Sequence, residues 1–342
     1  MRHPAEVARQ SAGIQSQDPA AGRLGFRVRS ARLAAADIDR ARTEERSLLR
    51  TWAMRSTAHT IAADDAGWLL PLFDRALATA SRRRLAQLGL DAAVQERALR
   101  AIEAALRSDG YLGRSELVGR LAGLGIEIDA ARRVHLFRAA VAEGIACLGP
   151  DRGGETLLAL AGAWLGKRAN PDRAASLREL ARRYLRAFAP ATDSDFAGWS
   201  GLGLGDVRAA LAGIGDELVE VRIGPQRGWA LKRPARRARR GTVRLLPAFD
   251  NYLMGHRDRD FIAAGDQWRQ IMPGGGLLRP TILVDGVAVG TWGMRRAGGR
   301  LEVTLAPFRP LDNETLRAIE DEIEDISRFE GLPASFSASS VE

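Results

Sequence analysis

The stretch Leu48-Leu-Arg-Thr-Trp-Ala-Met-Arg-Ser-Thr-Ala-His-Thr-Ile-Ala62 reads as two short strands, Leu48 to Ala53 and Thr57 to Ala62, joined by the turn Met54-Arg55-Ser56. Upstream of it the pattern is helical. Pro4 suits the first turn of a helix that runs to about Ala12 and is closed by the left-handed residue Gly13. Asp18-Pro19 reads as N-cap and N1 of a second helix, through Phe26 and Val28 to about Ala31, and a third runs from about Ala35 to Thr43. Three helices followed by a two-stranded wing make a winged helix. Helices from Asp64 to about Leu88 lead onward from it.

The same order recurs twice. A helix from about Asp91 to Arg107, a helix-turn-helix pair through Ser115 to Gly123 and Asp129 to Glu143, and strands Ile145 to Leu148 and Thr156 to Leu160 form a second candidate unit. After Ala169-Asn170-Pro171 come helices at Ser176 to Phe188, Ser194 to Gly201 and Gly205 to Gly213. Strands Glu217 to Ile223 and Trp229 to Lys232 close that unit around Gly224-Pro225. The repetition lies in the order of elements and not in the residues themselves. Strands then dominate, at Thr242 to Leu246, Thr281 to Val284, Val287 to Met294 and Leu301 to Leu305, with Asp285-Gly286 as a hairpin turn. An amphipathic helix from Asp312 to about Glu330 follows, and the Ser-rich tail after Pro333 reads as loose. The expected fold is α+β: three tandem winged-helix units (residues 1–90, 91–170 and 171–240) and a small β-rich C-terminal module with a terminal helix (241–342).

The chain of 342 residues carries 51 basic against 42 acidic side chains, a net charge of +9 and a pI near 10.8, which favours polyanionic partners. Lys167 and Lys232 are the only lysines, so the basic charge is almost all arginine, the residue suited to forked contacts with phosphate and guanine. Lys232-Arg-Pro-Ala-Arg-Arg-Ala-Arg-Arg240 has no acid within it. It reads either as a solvated linker or as a strap that contacts phosphate through Arg236, Arg237, Arg239 and Arg240. Cys147, the single cysteine, sits in an apolar stretch; it excludes an internal disulfide and reads as a buried strand residue in a reducing compartment. With no apolar run near the ~18 residues of a membrane span and no signal-peptide core, the expected location is cytoplasmic and nucleoid-associated, away from membranes.

Few residues carry obvious chemistry. The four histidines, His3, His59, His135 and His256, are dispersed, and no spacing suits a metal site, a P-loop or a dinucleotide fold. No Ser, Cys or Lys nucleophile stands out. Gly13-Ile-Gln-Ser-Gln-Asp-Pro19 remains. Asp18 is explained as an N-cap, which leaves Gln15 and Gln17. In an extended loop residues i and i+2 face the same way, so two amides can orient one water molecule without deprotonating it. That suits a bond whose leaving group is already activated, such as the N-glycosidic bond of an alkylated, cationic purine. Taken alone, the loop is more simply a polar connection whose glutamines cap nearby backbone.

Four segments together resemble a known family: Gly13-Ile-Gln-Ser-Gln17, Leu49-Arg-Thr-Trp-Ala-Met-Arg-Ser-Thr-Ala-His59, Arg183-Tyr-Leu-Arg-Ala-Phe-Ala-Pro-Ala-Thr192 and Leu245-Leu-Pro-Ala-Phe-Asp-Asn-Tyr252. They are similar to motifs of the winged-helix DNA-binding-domain family that contains the AlkZ and YcaQ DNA glycosylases. The resemblance implies tandem winged helices that excise N-alkylated purines, in some members from interstrand crosslinks, with a glutamine-apolar-glutamine motif positioning water. By that motif Gln15 and Gln17 are the catalytic pair. Glutamine at the second position places the chain with the AlkZ branch, since the YcaQ branch has aspartate there. Ser16 stands where the motif has an apolar residue, and little helix precedes it. Arg50, Arg55 and His59 match basic positions of the motif; they contact phosphate or the damaged base, or else serve as surface charges of the wing. Asp250 and Tyr252 are expected to be structural.

The expected activity is therefore that of a monofunctional DNA glycosylase that acts on duplex DNA carrying alkylated purines as a monomer, without metal or cofactor. Two alternatives stay open: a non-catalytic winged-helix DNA-binding protein, acting as a regulator or in resistance by sequestration, and a hydrolase of some other N-glycoside.

Overall fold

The computed structural model describes residues 3–166, 171–232 and 240–338. The chain divides into two compact units, residues 40–177 and residues 1–39 together with 178–342. The expected first segment, 1–90, thus contributes to both.

Chain order is α1 (Pro4–Gln10), β1 (Ile14–Gln15), α2 (Pro19–Arg27), α3 (Ala35–Thr43), then β2 (Leu48–Trp52) and β3 (Ala58–Ala62) around the 3-10 turn Met54–Ser56. The strands pair antiparallel, Leu48 opposite Ala62 and Trp52 opposite Ala58. Arg55 and Ser56 both take positive φ, near 54° and 56°, to close the turn, an uncommon conformation for residues with a side chain.

The rest of the 40–177 unit comprises α4 (Ala66–Leu69), α5 (Asp74–Gln87), α6 (Ala92–Asp109), β4 (Tyr111–Leu112), α7 (Arg114–Ala122), α8 (Ala130–Ala142), β5 (Ala146–Arg152), β6 (Glu155–Leu160) and α9 (Ala161–Leu165). Local chemistry sets the starts of α6 and α8: Asp91 accepts from the Val94 N–H at 2.9 Å and Asp129 from the Arg132 N–H at 2.8 Å. The apolar faces of α6, α7 and α8 meet through Leu99, Ile102, Leu117, Leu121 and Leu136, over Leu158 of β6. A third strand, β4, joins the expected hairpin, giving the order β4–β6–β5. Cys147 is a buried residue of β5.

The other unit continues with α10 (Arg173–Phe188), α11 (Asp193–Ser200), α12 (Leu204–Ala212), β7 (Leu218–Ile223) and β8 (Gln226–Leu231). Tyr184, Phe188, Phe196 and Trp199 cluster in its core, with the Tyr184 and Phe196 rings stacked at 4.6 Å. Thr192 and Asp195 cap α11 reciprocally. Next come β9 (Val243–Leu246), α13 (Asn251–Met254), α14 (Gly265–Ile271), β10 (Thr281–Val284), β11 (Val287–Ala297), β12 (Arg300–Pro307), α15 (Asn313–Glu330) and β13 (Ala334–Ala338).

These last strands form one sheet, β13–β12–β11–β10–β9, antiparallel except for the β12–β13 pair. The tail expected to be loose is an edge strand instead, because α15 returns the chain beside β12 and Ala334 pairs with Leu301. Arg27, almost fully buried, ties α2 to α15: its guanidinium lies 2.9 Å from Glu322 and 3.0 Å from Asp325 and donates to the Leu245 carbonyl at 3.0 Å.

Candidate active site and nucleic-acid interface

The segment 13–17 is built from both ends of its unit. Ala12 and Gly13 turn the chain out of α1 with positive φ, and Asp18 then opens α2 by accepting from the Ala21 N–H at 2.9 Å. Between these two stops the backbone is gripped by Asn251. The side-chain oxygen of Asn251 accepts from the Gln15 N–H at 2.8 Å, and its nitrogen donates to the carbonyls of Gly13 at 2.7 Å and Ser11 at 3.4 Å. Asn251 is 3 % exposed, so these bonds are shielded from water.

Asn251 is held in turn by its neighbours. Phe249 takes a positive φ of 59°, and Asp250 caps α13 through the Tyr252 N–H while pairing in bidentate fashion with Arg29 at 2.7 and 2.8 Å. Tyr252 donates to the Gly286 carbonyl at 3.0 Å. Asp250 and Tyr252 thus have structural partners. Asn251 lies inside the segment Leu245 to Tyr252, yet nothing in the local sequence marks it as the clamp of a loop 236 residues away.

Beneath the loop, α2 presents two glycines. A Cβ at Gly22 would stand 2.5 Å from Ser16 Oγ, and one at Gly25 would stand 2.7 Å from Ile14 Cγ2. Ser16 is 2 % exposed and donates to the Ile14 carbonyl at 3.0 Å, so its small polar side chain is satisfied in a slot that Gly22 opens. The extended run stops at Gln15. Gln15 is buried, whereas Gln17 lies in the bend before Asp18 and is exposed; the strict alternation expected through Gln17 therefore does not apply.

The hairpin residues belong to the 40–177 unit. Arg50 is half-buried on β2, close enough to Asp151 to act on its carboxyl. Burial would raise that carboxyl, but hydrogen bonds from Arg42 and Thr156 and the charges of Arg42 and Arg50 outweigh it, and Asp151 stays below the usual carboxylate range. Arg55 is half-buried at the turn. His59 is not the exposed cation expected for phosphate: it is 1 % exposed, and burial together with the Arg55 charge pushes its imidazole down to about 3. Its Nδ1 lies 3.0 Å from the Thr57 carbonyl, which can only accept, so Nδ1 carries the proton and Nε2 is an acceptor. Arg240 is exposed at a turn, while Arg236, Arg237 and Arg239 lie outside the described residues.

A family model described as DNA glycosylase AlkZ-like matches residues 8–329, from α1 to the end of α15. The chain belongs to the AlkZ-like family. A curated relative from Streptomyces sahachiroi, described as an interstrand DNA cross-link repair glycosylase, is 26% identical over 355 residues, 96% of this chain and 91% of that protein. The solved structure of the Streptomyces sahachiroi DNA glycosylase AlkZ superposes with a TM-score of 0.78 at 24% identity, over 98% of this chain and 94% of that one. The mixed helix and strand architecture is thus that of the AlkZ-like fold. Among the described residues, no helix is long and apolar enough to cross a membrane.

Proposed function

We propose that this AlkZ-like chain is a monofunctional DNA glycosylase that hydrolyses the N-glycosidic bond of N7-alkylated, cationic purines in duplex DNA and leaves an abasic site. Its substrates include interstrand crosslinks, as the description of the Streptomyces sahachiroi relative indicates for that protein, and bulky adducts of the same cationic purine type. Three winged-helix units, ending at the wings β2–β3, β5–β6 and β7–β8, bind the duplex, and the protein works as a monomer. In this reading Gln15 and Gln17 orient water at the anomeric carbon, and Arg50, Arg55 and Arg240 meet the DNA. His59, buried and neutral, holds the hairpin from within and is not a phosphate ligand.

The observation that carries the reading is the fixed Gln15 backbone beside a carboxylate, Asp18, that is engaged in capping α2. Neutral amides cannot take a full proton from water. They suffice where the base leaves neutral and the sugar develops positive charge, because orientation and electrostatics then supply most of the rate.

The test is incubation with duplex DNA containing N7-methylguanine, followed by measurement of free base and alkali-labile sites. The expected result is base release by the wild type, its loss in Gln15→Ala and Gln17→Ala, and no borohydride-trapped protein–DNA adduct. Tight binding without release, from this and from bulkier N7 adducts, would assign the chain to non-catalytic DNA binding.

A further inference from the structure

In the 40–177 unit, α5 and α8 pack side by side. Two arginines on α5, two residues apart, have opposite surroundings. Arg82 is neutralised by Glu143 and Glu96, each at 2.6 Å. Arg84 is exposed, and its hydrogen bond goes to the neutral amide of Gln87. On α8, His135 and Arg138 are three residues apart and share a face, and His135 senses both arginines: burial, then the charges of Arg138 and Arg84, hold it below its ordinary value.

Arg138 is the least compensated of the three. Its guanidinium lies 5.7 Å from the Trp52 ring centre and donates to the Ser56 carbonyl at 3.1 Å. Its Nε is buried with no hydrogen-bond partner, and burial alone lowers its affinity for a proton, unopposed by any acid. Among the described residues none of Arg84, His135 and Arg138 makes an ion pair. Clustering positive groups without a carboxylate is unfavourable unless an anion completes the set.

We infer that Arg84, His135 and Arg138 form a phosphate-binding site on the α5–α8 face, beside the β2–β3 turn, that grips one backbone phosphate of DNA. The inference rests on the duplex-DNA substrate proposed above. α8 is the second helix of the α7–α8 pair, the position from which such pairs meet a duplex. The ligand is the backbone, with no base readout: a guanidinium fork on Arg138, a second on Arg84 and the His135 ring converge on one anion.

Binding of undamaged duplex by fluorescence anisotropy, between about 50 and about 200 mM salt, tests this, because each neutralised phosphate adds about 0.9 to the slope of log affinity against log salt. Because one phosphate is shared, Arg84→Gln and Arg138→Gln are each expected to reduce that slope by up to about 0.9, and the double variant by no more than about 0.9 in total. Arg107→Gln, which removes an equally positive but exposed residue paired with Glu103, is expected to leave it unchanged. An unchanged slope in Arg84→Gln, an exposed position whose replacement spares the core, overturns the site whatever Arg138→Gln does to folding. An equal loss in Arg107→Gln overturns it too, since bulk charge then explains the effect. A wild type that binds no duplex overturns the site together with the proposed function, an outcome distinct from the other two.

Discussion

His59 and Ser16 are both held by local contacts, His59 Nδ1 at the Thr57 carbonyl and Ser16 Oγ at the Ile14 carbonyl. His59 gives the clearest solution signature. Its folded value near 3 lies below the ordinary 6.5, so the unfolded chain takes up the proton first as pH falls. Above about 6.5 both states are neutral and His59 makes stability independent of pH; between about 6.5 and about 3 it removes about 1.4 kcal/mol per pH unit. His59→Asn keeps a donor toward the Thr57 carbonyl but cannot titrate. Denaturation profiles of the two proteins should therefore diverge only below about pH 6.5, and parallel profiles down to pH 4 would mean the ring is accessible to protons. Ser16 makes a second case. The slot under Gly22 fits its side chain closely, so Ser16→Ala should cost less than about 1 kcal/mol, whereas Ser16→Ile should cost about 1–3 kcal/mol by overpacking, measured by urea denaturation. The serine at this position, which departs from the apolar residue of the family motif, is matched by the glycine facing it.

At the scale of elements, the loop between α1 and α2 works because a residue of α13 closes it. Asn251→Ala strands the buried Gln15 N–H and is expected to cost about 1–3 kcal/mol and to lower base release more than duplex binding. Gly22→Ala should also lower release, through displacement of Ser16; equal release by this variant and the wild type would show that the loop tolerates movement. The element boundaries themselves were legible. Asp18, Asp91, Asp129 and Asp312 each mark a helix start in the sequence and each caps one in the structure, because an N-cap is a contact across three residues. The hairpin at 48–62 was legible for the same reason. The strand β13 was not, since its parallel partner is set by α15 lying between them and leaves no turn signal. Nor was the burial of His59: alternation along β3 predicts one covered face, but all five of its residues are buried.

At the scale of the molecule, Arg27 joins the first residues of its unit to the last. Its partners Glu322 and Asp325 lie almost 300 residues downstream and are only partly buried, and Glu322 keeps Arg244 and the Leu245 N–H, so Arg27→Met is expected to cost about 1–3 kcal/mol by denaturant titration. The discontinuous unit, 1–39 with 178–342, is the feature the sequence left unreadable, because a division by order of elements follows the chain and packing does not. In the candidate loop, Gln15 and Gln17 stand out in the sequence; the clamp and the glycine bed beneath the loop do not, since both depend on which distant segments meet. Synthesis of the chain feels this directly. Gln15 leaves the ribosome early, but Asn251 is made 236 residues later, on the order of 10 to 50 s at ordinary elongation rates. Until then the loop lacks its Asn251 clamp, so in a nascent or C-terminally truncated chain the base release proposed above would be acquired last.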